Sequence, residues 1–174
     1  MYQIGELIFY GDAGVCRVTD IAAQELPGTE VGQLCYVLKP LYHDYIISIP
    51  VNATKVFMRP IISKQMAEQL IGSIPSIQGQ ACHGRAFELA GRYEASIKSY
   101  DCAELIELTM SLYAKKQDLE QQKRKFGAVD ERFMKRAEEL LFGELAAALG
   151  IPKSEVLKYI ASRVEKPAVD TSQE

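Results

Sequence analysis

The chain has 174 residues, 48% of them apolar and 25% charged, which suits a folded globular protein and excludes disordered, collagen-like and mucin-like chains. Its formal net charge of -3 supplies no whole-molecule positive field, so attraction to nucleic acid or an anionic membrane must come from a local patch. No apolar run approaches the roughly 18 residues of a spanning helix, and the first residues lack the basic and long apolar regions of a secretion signal. A cytoplasmic chain of one large domain or two small ones is expected.

Up to about residue 60 the sequence is β-rich and broken by turns. Residues 4–10 read as a strand closed by Gly11-Asp12-Ala13-Gly14, and 15–21 as a second. Pro27-Gly28 and Gly32 bracket a loop, 34–39 is a third strand, 45–50 a fourth and 54–58 a short fifth. Strands this closely spaced leave no room for parallel crossovers, so antiparallel pairing in a small barrel of the SH3 or Tudor kind is expected.

Beyond residue 60 the period becomes helical. Ser63 is a candidate N-cap for a helix over 64–74 with Met66, Leu70, Ile71 and Ile74 on one face. A second helix over 84–98 carries Phe87, Leu89, Ala90, Tyr93 and Ile97. Asp101 with Glu104 has capping-box spacing ahead of Leu105, Leu108, Leu112 and Leu119. A long helix over 130–149 turns Phe133, Ala137, Leu140, Leu141 and Leu145 inward and stops at Gly150, and Pro152 opens a final helix. The expected fold is α+β in two modules: a Tudor- or SH3-like antiparallel barrel over 1–62, a bridging helix and linker over 63–80, a helical domain over 81–165 and a flexible tail over 166–174.

Enzyme chemistry finds little support. No phosphate-loop, dinucleotide, zinc-protease or nucleophile-elbow string occurs. Cys82 and His83 are adjacent, and adjacent residues do not face each other on a helix. Cys16, Cys35, Cys82 and Cys102 include no C-x-x-C pair and read as reduced packing residues. No cofactor, metal, small-molecule substrate or membrane is expected.

Two stretches look made for partners. Tyr45, Ile46, Ile47, Ser48 and Ile49 hold four large apolar residues in five, of which a period-2 strand can send only half into a small core. The rest are exposed, covered by the helical module, or used by a partner that adds a strand to the sheet edge. Residues 115–136 carry eight Lys or Arg against four acids, with Lys123, Arg124 and Lys125 at the loop between two helices, where basic side chains meet phosphates or simply face solvent.

The order of these features resembles the CarD/CdnL family of bacterial transcription regulators, whose N-terminal module is shared with the transcription-repair coupling factor. Ile4-Gly5-Glu6-Leu7-Ile8-Phe9-Tyr10 with Gly14-Val15, then Tyr36-Val37-Leu38, Ile49-Pro50-Val51-Asn52 and Arg59-Pro60-Ile61-Ile62-Ser63 are similar to its N-terminal blocks. Arg92-Tyr93, Glu131-Arg132-Phe133-Met134 and the run 137–149 resemble its helical blocks. The resemblance implies a non-enzymatic protein whose barrel docks on the RNA polymerase β subunit by edge-strand pairing through Tyr45, Ile46, Ile47, Ser48 and Ile49. It also implies a helical module that touches promoter DNA at the melted bubble, where a family tryptophan wedges into the minor groove.

This chain has no tryptophan, and Leu89 stands at the wedge position. Arg92 is retained, whereas Gly91, Glu94 and Glu131 occupy usually basic positions and Ser48 stands where some members carry arginine. The expected DNA contacts are therefore Leu89, Arg92, Lys123, Arg124 and Lys125. The expected function is a modulator of promoter opening, and the rival reading is an adaptor that uses the same barrel on another partner without DNA.

Overall fold

The computed structural model describes residues 1–165, and the expected tail over 166–174 lies outside the described residues. The chain divides into two units, Met1–Ile61 and Ile62–Glu174, an antiparallel sheet followed by helices, which makes the fold α+β. No helix of the described residues is long and apolar enough to cross a membrane.

Five strands build the first unit: β1 (Leu7–Tyr10), β2 (Gly14–Gln24), β3 (Gln33–Pro40), β4 (Ile47–Pro50) and β5 (Met58–Pro60). All neighbours are antiparallel, in the order β4-β3-β2-β1-β5, so β4 and β5 are the outer strands. One 3-10 turn, Gly11–Ala13, joins β1 to β2, and Gly14 leaves it at φ 71° and ψ -140°, a conformation open to glycine but not to side-chain-bearing residues. β1 begins three residues later than its sequence pattern suggests, because Gly5 turns at φ 91° and the Glu6 amide bonds back to the Gln3 carbonyl. β5 also lies later than the expected 54–58: Ala53 and Val56 pack on the core from a loop, and pairing with β1 starts only where the Gly11 amide reaches the Phe57 carbonyl.

The core of this unit is Ile8, Cys16, Val18, Tyr36, Leu38 and Ile49, with Ile21, Ile47 and Met58 packed against it. A bulge makes that possible. Strict alternation after Cys16 and Val18 would send Asp20 inward, but the register slips between Val18 and Asp20, so Asp20 stays exposed and Ile21 faces the core. The inserted residue, Thr19, ties its hydroxyl to the Val37 carbonyl at 3.0 Å.

Among the described residues the second unit contains α1 (Lys64–Ser73), α2 (Ala86–Lys98), α3 (Cys102–Gln121), α4 (Ala128–Leu149) and α5 (Val156–Val164). Ser63 caps α1 by accepting the Met66 amide, and Asp101 caps α3 by accepting the Glu104 amide. The Asp101 amide bonds to the Ser99 hydroxyl at 3.2 Å, filling the role the capping-box spacing would give to Glu104. Gly150, left-handed at φ 69°, ends α4.

α4 is the axis of the unit and touches each of the other four helices, which is why its stretch from Leu140 to Ala146 is buried on all sides. Even Glu144 is fully buried there, its carboxylate accepting the Ile62 amide at 3.1 Å. Two inward assignments fail. Met66 lies half exposed because Ala67 and Ile71 form the buried pair of α1, and Phe87 is 90% exposed because the i, i+4 stripe Leu89-Tyr93-Ile97 takes the inner face of α2. Two residues before Leu89, Phe87 is turned some 200° away from that stripe.

Candidate functional site

The first candidate surface is the outer strand β4. Its register pairs Leu38 with Ile47, Val37 with Ser48, Tyr36 with Ile49 and Cys35 with Pro50. The Val51 amide continues the ladder by donating to the Leu34 carbonyl at 3.0 Å. In antiparallel pairing bonded and non-bonded positions alternate, so Ile47, Ile49 and Val51 bond to β3, whereas Ser48 turns its amide and carbonyl off the sheet edge. Pro50 has no amide to offer there.

The five residues singled out in the sequence therefore separate. Ile49 is buried and Ile47 packs against the core, so neither is a free apolar anchor. Tyr45 and Ile46 precede the strand and are exposed, Ile46 by 67%, and the Tyr45 ring stacks on His43 at 5.6 Å between centroids. What remains at this edge is a backbone donor and acceptor at Ser48 beside a small aromatic and apolar cluster.

The second candidate surface lies in the helical unit. α3 ends at Gln121, Lys123 just beyond it takes a left-handed φ of 54°, and the Arg124 amide closes the helix end on the Leu119 carbonyl at 2.8 Å. Lys123, Arg124 and Lys125 are all exposed in the loop that follows. Arg124 and Lys125 line an open cleft of about 540 Å3 together with His83, Gly84 and Ala86 at the start of α2 and Gly127 and Ala128 at the start of α4.

At the wall of this cleft Lys115 meets Asp130 at 2.9 Å, and the Tyr93 hydroxyl donates to the same carboxylate oxygen at 2.7 Å. Burial, and then the bond to Asp130, push the Tyr93 hydroxyl well above the usual phenol range. Lys115 is thus consumed inside the fold, and the positive character of the cleft comes from Arg124, Lys125 and the nearby Lys123.

The other expected DNA contacts are not gathered here. Leu89 is only 5% exposed, so it cannot enter a groove as a wedge: it belongs to the inner stripe of α2. Arg92 is exposed but lines a different, smaller cleft with Glu104 and Glu107. Sequence reasoning missed Phe87 and His83. A period-3.6 pattern fixes which residues share a face but not which of two apolar faces points inward, and that ambiguity hid Phe87. Cys82 and His83 form no pair: the thiol contacts the Gln80 carbonyl at 3.8 Å, and His83 borders the basic cleft.

No curated protein matches the chain. Residues 2–62 match the family model of the CarD-like/TRCF RID domain, nearly the whole of the sheet unit. The N-terminal unit of this chain is therefore a CarD-like/TRCF RID domain, which supports RNA polymerase as a partner in general and a transcription-related setting.

Proposed function

We propose that the protein is a non-enzymatic, cofactor-free CarD-like regulator that docks on the β subunit of RNA polymerase through the free edge of β4 and modulates promoter opening, the helical unit contacting promoter DNA. The family match over residues 2–62 carries this reading. The outward amide and carbonyl of Ser48 support it, since strand addition needs an unpaired backbone edge, and exposed Tyr45 and Ile46 supply flanking side-chain contacts. DNA contact is assigned to Lys123, Arg124, Lys125 and Phe87 in place of Leu89, because the former are exposed and Leu89 is not. Arg92 remains a candidate at a separate position.

A pull-down of the purified protein against the isolated lobe of the β subunit tests the docking. Wild type is expected to bind and Ile46→Glu to bind more weakly, its exposed side chain placing a charge at the interface without touching the core. No capture of the lobe by wild type contradicts the reading and leaves an adaptor for another partner. DNA contact is tested by promoter-complex affinity, which should fall steeply with salt and fall further when Lys123, Arg124 and Lys125 are replaced by Glu.

A further inference from the structure

Glu144 is fully buried in the middle of α4, where Leu140, Leu141, Leu145 and Ala146 of the same helix are buried as well. Its Oε1 accepts the Ile62 amide at 3.1 Å, and no buried side-chain polar atom of the described residues lacks a hydrogen-bond partner. Taking a carboxylate out of water costs several kcal/mol, and an apolar residue of similar volume in such a place is often neutral or stabilising. Stability alone therefore gives no reason for an acid at this position. The place of its partner in the chain does.

Ile62 opens the second unit: Pro60 ends β5, Ile61 closes the first unit and Ser63 caps α1. The Ser63 hydroxyl accepts the Met66 amide at 3.1 Å and its carbonyl accepts the Ala67 amide at 2.9 Å, so the chain is fastened from the first turn of α1 onward. With the Ile62 amide held by Glu144, Ile61 is the single residue between the last strand position and the fastened chain. Each free residue adds two soft dihedrals to a joint. Without an acceptor at position 144, those of Ile62 would be added to those of Ile61.

We propose that Glu144 is a positioning residue for regulation: by holding the Ile62 amide it keeps the joint between the units short and stiff, and so couples polymerase docking by the sheet to promoter contact by the helices. The role rests on the functional reading above and adds how its two contacts reinforce each other. Once one unit has bound, the other binds at an effective concentration set by the length and stiffness of the joint. Loosening the joint weakens that coupling and leaves each single affinity as it was.

Three full-length variants test it, each checked for folding by thermal denaturation. Glu144→Gln keeps an acceptor oxygen, Glu144→Leu removes it at similar volume, and two glycines inserted between Ile61 and Ile62 lengthen the joint with Glu144 in place. Hydrogen exchange should show the Ile62 amide about tenfold less protected in Glu144→Leu and restored in Glu144→Gln, with the Met66 amide as control. All three should bind the isolated β lobe like wild type. The lifetime of the polymerase–promoter complex should fall about fivefold for Glu144→Leu and for the insertion, and stay at the wild-type value for Glu144→Gln. A wild-type lifetime with the insertion or with folded Glu144→Leu overturns the proposal, as does unchanged protection of Ile62 in Glu144→Leu or a folded variant that loses lobe binding by itself. Wild type that fails to capture the lobe overturns the docking reading, whereas wild type that binds it beside variants with unaltered lifetimes overturns this role alone.

Discussion

Lys115 and Asp130 meet at 2.9 Å with both side chains about 6% exposed, joining the middle of α3 to the first turn of α4. The pair sits just where the loop carrying Lys123, Arg124 and Lys125 is anchored, and Tyr93 on α2 binds the same carboxylate. Three helices are thus held at one point beneath the basic cleft. Removing one partner leaves the other charge buried and unpaired, which costs far more than the pair itself contributes. Asp130→Ala should lower unfolding free energy by about 3–5 kcal/mol in urea titration, and adding Lys115→Met should recover most of that loss.

Glu68 on α1 receives the Tyr159 hydroxyl and the Arg163 guanidinium of α5. The bond from Tyr159, then that from Arg163, hold its carboxyl below the ordinary range. A carboxyl depressed on folding contributes stability that is complete above its unfolded value and is lost as pH falls through the folded one. Thermal unfolding should therefore lose stability below about pH 4.5, and the Glu68→Gln variant should lack that part of the pH dependence.

Gly79 lies hard against α3. A Cβ built on it would stand 2.5 Å from the Met110 carbonyl oxygen, inside any real contact. Backbone, and not a flexible side chain, blocks it. Gly79→Ala should destabilise the helical unit by about 1–3 kcal/mol, read as a lower denaturation midpoint.

The bulge at Thr19 sets the register of the second half of β2. Deleting Thr19 alone would remove the bulge but leave Asp20 opposite Val37 on the exposed face and Ile21 opposite Tyr36 on the core face, because strict alternation from Val18 then gives the observed sides. Deleting Thr19 and Asp20 together would instead carry Ile21 off the core face. The single deletion should therefore fold, as should Thr19→Ala, which removes only the hydrogen bond to Val37, whereas the double deletion should lower the denaturation midpoint of the first unit and raise its susceptibility to limited proteolysis.

Local signals in the sequence were accurate where local chemistry decides the outcome. Ser63, Asp101 and Gly150 end or begin helices through contacts within a few residues, and each does what its type favours. Phe87 and Leu89 were not separable, because which apolar stripe of α2 turns inward is settled by α3 and α4, not by the segment itself. Buried Glu144 had no sequence signal at all: its partner, the Ile62 amide, lies 82 residues away. The β4 stretch read as one apolar strand, whereas the register of β3 divides it into two inward isoleucines, one outward backbone position at Ser48 and two exposed residues before the strand.

Ser48 gives the most direct measurement. Its amide points away from β3, so proline there removes a donor from the free edge without breaking the bonds that Ile47, Ile49 and Val51 make to the sheet. Binding of the isolated β lobe should be measured by calorimetry for wild type, Ser48→Ala and Ser48→Pro, with folding checked by thermal denaturation. Edge pairing through the backbone predicts that Ser48→Ala binds like wild type and that folded Ser48→Pro loses binding at least tenfold. Equal binding by all three would contradict docking through this edge.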